Sequence, residues 1–329
     1  MPEEIEFRTK PQIAVELIDR ALNNGVRVAA WTCDELYGRD TKFLNALEDR
    51  RQVFVAEIPV DFHGWVRKPK ILPDGPENTG RGRPKEYPRL AAGYHSSEVR
   101  NLAQHSPVFR RQKWQRYRIK DTDKGPQVWE VKWAVFWRKG EEGLPTRRHC
   151  LIVARNVLTG EVKYFLANRV PGEINPATGE CVTLRLLLRV AFGRCSIESC
   201  FREGKEELGL DHYEVRGWRC VHRHFYVTGL SHLFCARVRQ EYDTGSEEQI
   251  DRITIEQVKS AMNVWLDAAD LPPTARRQRY EEELNKQHYY QRRNKQARKS
   301  HTKTKLARLE ALGIEVAHIK SCLPDTTEP

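Results

Sequence analysis

An open α/β sheet is the fold class this chain predicts, and three observations carry the expectation. Helical and strand-like patterns alternate over residues 11–58, strand patterns return over residues 149–167, and a long helical region begins near Thr183. From Pro11 to Asn24, residues Ile13, Ala14, Leu17, Ile18 and Ala21 recur at helical spacing, and Asn24-Gly25 supplies a left-handed stop. Val26 to Thr32 is a short apolar, β-branched run that ends at Cys33-Asp34. Asp34 is therefore expected at the C-terminal edge of a strand, where open α/β sheets gather functional groups. A turn or helix cap is the plainer role for a single Asp in that place. Asp40 is suited to cap a second helix carrying Phe43, Leu44 and Leu47, and Gln52 to Ile58 reads as the next strand.

From about Asp61 to Glu142 the chain turns to Pro, Gly and basic residues, including the run Arg81, Gly82, Arg83, Pro84, Lys85, and this stretch reads as an insertion. Within it Trp129, Val131, Trp133, Val135 and Trp137 alternate with Val128, Glu130, Lys132, Ala134, Phe136 and Arg138, a period of two that puts three indoles on one side of a strand. Core packing and base stacking with nucleic acid are both open to such a face, core packing being the commoner use. His149 to Arg155 and Glu161 to Ala167 read as two strands joined through Asn156 to Gly160, a loop suited to a hairpin. The helical region from Thr183 breaks around Gly209 to Trp218 and resumes through Leu233, Ala236 and Val238.

Composition narrows the function. Lys and Arg outnumber Asp and Glu by 56 to 45 in 329 residues, and the pI is near 9.3, which favours a polyanionic partner, with nucleic acid first among them. Between Leu271 and Arg308 there are twelve Lys or Arg against three Glu, so one segment carries most of the net charge. A basic segment interleaved with Tyr280, Tyr289 and Tyr290 suits phosphate contacts, and a solvated helical tail is the alternative. No apolar run reaches the ~20 residues needed to cross a bilayer, and a cytoplasmic protein without a membrane partner is expected. The eight cysteines lack paired C-x-x-C spacing and read as reduced thiols. The trio Cys220, His222 and His224 would suit one face of a strand, but its surroundings read helical, and core or solvent-facing side chains are the simpler account.

The segment Leu184 to Lys205 is the most informative. On a helix Arg194, Glu198 and Lys205 fall within about 40° of one another, while Ile197, Phe201 and Leu208 form an apolar stripe expected to seat the helix on the sheet. A carboxylate flanked by two cations is either a surface salt-bridge ladder or a site where the carboxylate holds a divalent ion and the cations hold phosphate.

This pattern resembles the transposases of bacterial insertion sequences with an RNase H-like core, whose helix signature is Tyr, two residues, Arg, three residues, Glu, six residues, Lys. Arg194, Glu198 and Lys205 match it, while Ala191 stands where the Tyr is usual. The segment Asp34-Glu35-Leu36-Tyr37-Gly38 is similar to that family's second-aspartate motif. The strand-rich insertion, the segment Gly209 to Arg216 and the basic run Gln291 to Lys303 add to the likeness. The resemblance implies a DDE transposase acting on transposon ends and target DNA with Mg²⁺ or Mn²⁺. It implies Asp34 and Glu198 as catalytic, metal-binding residues, and a homo-oligomer assembled on DNA is compatible with it. Arg194 and Lys205 are the implied DNA contacts, joined by Arg292, Arg293, Lys295, Arg298, Lys299 and Lys303 of the basic run. The implied arrangement is a first part of the RNase H-like core over residues 1–60, a strand-rich insertion over 61–148, the rest of the core with the catalytic helix over 149–240, and a basic helical region over 241–329. Such enzymes also carry a first catalytic Asp on an opening strand. The acidic residues before Asp34 are Glu3, Glu4, Glu6, Glu16 and Asp19, none on a plausible first strand. The chain is thus expected to be N-terminally truncated and inactive alone, with a non-catalytic DNA-binding remnant or an inhibitor of transposition as the alternative.

Overall fold

The computed structural model describes residues 6–72, 87–243 and 253–322; the basic run Arg81 to Lys85 lies outside them. By their packing the described residues divide into a sheet unit, within residues 6–194 and 305–322, and a helical unit, within residues 195–304.

The sheet unit opens with helix α1 (Lys10–Asn23), where Thr9 and Gln12 form a reciprocal capping box and Pro11 occupies the first turn. Strand β1 (Trp31–Cys33), the short helix α2 (Glu35–Gly38), α3 (Thr41–Asp49) and β2 (Phe54–Ile58) follow. Asp40 caps α3 through the Phe43 N–H, and Phe43, Leu44 and Leu47 bury its inner face, as the spacing predicts. β1 and β2 run parallel, with Cys33 opposite Ala56, the arrangement a helical crossover between neighbouring strands produces. Then come β3 (His63–Trp65), β4 (Ile71–Leu72), β5 (Arg89–Leu90), β6 (Ser97–Glu98), α4 (Val99–His105), α5 (Pro107–Arg110), β7 (Gln115–Thr122), β8 (Gly125–Lys139), β9 (Pro145–Asn156), β10 (Val162–Ala167) and α6 (Leu184–Gly193). After the helical unit, the closing strand β11 (Lys320–Ser321) pairs with β7.

Among the described residues the main sheet has nine strands. Its path runs β1-β2-β10-β9-β8-β3-β6, with β7 on β8 and β11 on β7. The strand-rich stretch is continuous with the rest of this sheet through β8, whose 15 residues pair with β9 along most of their length. Both faces of the sheet are covered. One face packs Val55, Trp129, Ile152 and Phe165 under Leu187, Leu188 and Phe192 of α6, with the Trp129 and Phe192 rings 4.8 Å apart. The other face packs Phe54, Ala56, Phe136 and Leu151 under Leu44, Leu47 and Ile18. The alternation along β8 is thus core packing on two sides, and Trp129 is 3% exposed.

One polar group is buried with the second face. Arg138 of β8 and His149 of β9 are fully buried and meet Glu48 of α3, at 3.6 and 2.7 Å. Arg138 also donates to the Asn45 side chain, but its Nε and Nη1 have no partner. Burial pushes the Glu48 carboxyl up, while the His149 hydrogen bond and the charges of His149 and Arg138 pull it down further, leaving it below its ordinary value.

The helical unit holds α7 (Cys195–Leu208), α8 (Trp218–Asp243), α9 (Ile255–Asp267) and the greater part of α10 (Pro273–Glu310). Its core is Cys235, Ile255 and Val258 with Leu208, Val238 and Met262. Of the stripe Ile197, Phe201 and Leu208, Leu208 packs within this unit. Within the sheet unit it is α6 that covers the sheet, with Leu187, Leu188, Ala191 and Phe192 as its buried set. Cys220, His222 and His224 lie on α8, where helical geometry points them in different directions: His222 stacks on Trp218, and His224 bonds the Gly209 carbonyl.

These contacts set the stability expected of two variants. A Cβ on Gly38 would sit 1.9 Å from the Glu57 carbonyl oxygen, so Gly38→Ala is expected to destabilise the sheet unit by about 2–3 kcal/mol, read from urea unfolding. Glu48→Gln leaves the Arg138 charge buried and uncompensated, and is expected to cost about 3 kcal/mol. Because the folded-state pKa of Glu48 is depressed, its contribution is complete at neutral pH and lost as pH falls through that pKa, so the wild-type advantage over Glu48→Gln should shrink in acid. A constant gap between the two proteins across that range would refute the assignment.

Candidate functional site

The site is built at the carboxyl end of the parallel pair. Trp31 donates its N–H to the Val53 carbonyl and Cys33 registers on Ala56, which brings residue 34 level with residue 57 as the strands end. Asp34 is extended there, and its Oδ1 accepts the N–H groups of Leu36 and Tyr37 at 3.1 and 3.4 Å. The cap role open to a lone Asp is thus filled, and it fixes the carboxylate at the strand end. Gly38 closes α2 against the Glu57 backbone, an approach that no side chain permits.

Arg194 reaches the same end of the sheet from α6. It is the single residue between α6 and α7, so the continuous helix expected over Leu184 to Lys205 is interrupted at Gly193-Arg194, where a glycine weakens the helix. Its Nη2 lies 3.9 Å from Glu57 Oε2, and Glu57 Oε1 lies 2.8 Å from Lys163 Nζ. Between Asp34 and the β2 register sits Cys33, whose thiol is pushed up to about 12, first by burial and then by the Asp34 charge, with Arg194 acting in the opposite sense. Burial and the neighbouring carboxylate both favour the neutral thiol.

Glu198 and Lys205 are placed on α7 in the helical unit, both exposed, Glu198 in the first turn and Lys205 in the last. Each sign complements the end of the helix dipole it occupies. Arg292, Arg293, Lys295, Arg298, Lys299 and Lys303 are all exposed on α10. No acidic residue occurs in the sequence between Glu283 and Glu310, so this stretch lacks the i,i+4 pairs seen earlier in the helix, such as Arg277 with Glu281 at 3.0 Å. Arg293 lies against the Tyr289 ring, 5.7 Å from its centre, which stiffens a cation on the aromatic surface.

The structure thus brings Asp34 and Arg194 to one end of the sheet and sets Glu198, Lys205 and the basic run in the other unit. Sequence reasoning missed Glu57 and Lys163. Glu57 stands within an apolar strand and Lys163 is the one charged residue of β10; only strand register shows that they meet. Among the described residues no group of three or more His, Cys, Asp or Glu side chains could hold a metal ion, so the donors assembled here do not by themselves fit a two-metal centre, which is built from several carboxylates. No helix among the described residues is long and apolar enough to cross a membrane.

No curated protein matches this chain. The family model of the DDE superfamily endonucleases matches residues 1–126, a span that contains Asp34 and Glu57 and stops short of Arg194 and Glu198. That match makes the first 126 residues similar to the DDE superfamily endonucleases, and the mixed α/β sheet is consistent with the RNase H-like fold of such enzymes.

Proposed function

We propose that this chain is a transposase of an insertion sequence, a protein that binds the ends of a DNA element and takes part in DNA strand cleavage and transfer. The observation that carries the reading is the position of Asp34, capped at the carboxyl end of β1 in the part matched by DDE endonucleases, with a guanidinium at the end of the neighbouring strand. In this reading Asp34 and Glu198 are the catalytic, metal-binding carboxylates, Mg²⁺ or Mn²⁺ the ion, and Arg194 and Lys205 the phosphate contacts near the reacting strand. Bound divalent ions would polarise phosphoryl oxygens and activate the attacking oxygen. The residues of the chain bind, orient and neutralise the DNA. Arg292, Arg293, Lys295, Arg298, Lys299 and Lys303 supply sequence-tolerant backbone contacts.

A second reading, a DNA-binding protein that does not cut, is favoured by the donor set: Asp34 and Glu198 offer two negative charges, whereas two divalent ions bring four positive ones into a pocket. Binding and cleavage should therefore come apart. Purified chain is expected to bind a duplex carrying element ends and to leave it uncut with Mg²⁺ or Mn²⁺. Cleavage that Asp34→Ala abolishes would instead make this chain a complete nuclease.

The basic run gives a separate expectation. Changing Arg292, Arg293, Lys295 and Arg298 together to Gln should reduce the slope of log affinity against log salt by about three to four, since each phosphate contact contributes ~0.9. An unchanged slope, measured by fluorescence anisotropy, would remove α10 from the DNA interface.

A further inference from the structure

The trio Lys163, Glu57 and Arg194 lies within the sheet unit and outside the family's helix signature except for Arg194. Lys163 and Phe165 alternate onto one face of β10, and Phe165 registers opposite Glu57 on β2, so all three share a face. Phe165 packs edge-on against Phe192 of α6 at 5.2 Å, which identifies that face as the one α6 covers and explains why Arg194, at the end of α6, arrives there. The Lys163, Glu57 and Arg194 side chains are 24%, 19% and 27% exposed.

Two oxygens of one carboxylate are therefore divided between two cations, Oε1 to Lys163 at 2.8 Å and Oε2 to Arg194 at 3.9 Å. A carboxylate so engaged is poorly placed to ligate a metal. It serves instead as the counter-charge that offsets the repulsion between two partly buried cations. Glu57 thus bridges the two cations at the strand end that carries Asp34. The exposed Glu161, 3.7 Å from Lys163, contributes little because solvent screens it. A lysine and an arginine set about a single anion also match the way phosphate is bound, as a point charge on one side and a planar donor fork on the other.

We propose that Lys163 is a further DNA-contacting residue, which with Arg194 grips a backbone phosphate where Glu57 holds the two side chains together in the DNA-free protein. This inference rests on the DNA-binding reading above. It adds a contact from β10, and it makes Glu57 a positioning residue rather than a metal ligand.

The test is the salt dependence of binding to a short fluorescent duplex over about 50 to 200 mM salt. Lys163→Met keeps the alkyl stem and is expected to weaken binding several-fold and to lower the slope by about one, while Lys163→Arg restores both. A residue important only for packing would not be rescued on the slope by Arg. Glu57→Gln is expected to steepen the slope, because it removes the carboxylate that competes with the phosphate for Lys163 and Arg194; a flatter or unchanged slope overturns the role given to Glu57. Should methionine disturb β10, seen by circular dichroism, Lys163→Gln replaces it in the same comparison. If Arg194→Met lowers the slope and folded Lys163→Met or Lys163→Gln does not, the inference is overturned while the DNA-binding reading stands. If the unaltered chain does not bind duplex DNA, both fall.

Discussion

Glu48 is the point on which the placement of the candidate site depends. It lies on α3, the helix that carries the chain from β1 to β2, and it meets Arg138 and His149 in the middle of the sheet. A buried guanidinium costs several kcal/mol unless it is paired, so the fold is stable only with α3 docked in one rotation, the one that aims Glu48 inward. That rotation also buries Phe43, Leu44 and Leu47. With α3 fixed at its C-terminal end by the ion pair and at its N-terminal end by the Asp40 cap, the short α2 has little freedom, and Gly38 comes to rest on the Glu57 backbone. The Asp34 carboxylate is thus positioned by packing that begins some way off, on the opposite face of the sheet from α6.

The two faces divide the work. The α3 face is where the sheet is locked, by an ion pair that solvent does not reach. The α6 face carries the charges a ligand could use, because Glu57, Lys163 and Arg194 remain partly exposed. Alternation along a strand makes this possible: Ala56 and Ile58 pack toward α3 while Glu57 between them faces the other way. A shift of one residue in the β2–β10 register would exchange the two sets, putting Glu57 into the apolar core and Ala56 at the site. The register is therefore under strong energetic constraint, and the same burial that stabilises the fold sets which carboxylate stands at the strand end.

Much of this was legible in the sequence because it depends on local chemistry. The α1 pattern with Asn24-Gly25, the Asp40 cap, the strand end at Cys33-Asp34 and the Asn156 to Gly160 hairpin are all short-range signals, and Gly25 and Gly160 have the positive φ such positions call for. The resemblance to DDE transposases was carried by Asp34 to Gly38 and by the Arg, Glu, Lys spacing, and the family match covers the first of these. What stayed hidden was set by distance along the chain. Glu57 and Lys163 are separated by 106 residues, and neither sits in a pattern that marks it. The burial of Arg138 was likewise not legible, since periodicity cannot tell a strand covered on both faces from one covered on a single face when its buried cation has a distant partner.

The packing of α6 shows what amphipathic spacing does not specify. Ile197, Phe201 and Leu208 do fall on one stripe, but α6, immediately before them, presents Leu187, Leu188, Ala191 and Phe192 to the sheet and satisfies the apolar face over Val55 and Phe165. The number of large apolar side chains separates the two helices: α6 has four leucines, a valine and a phenylalanine in ten residues, whereas α7 interleaves its apolar positions with Arg202, Glu203, Lys205, Glu206 and Glu207. Where two consecutive segments both show helical periodicity, the one with more apolar area gains more from burial, at roughly 25 cal/mol per Å², and it takes the sheet. The charged helix is then left to present Glu198 and Lys205 to solvent. Glu198 and Lys205 thus follow directly on a helix whose apolar face the sheet core requires.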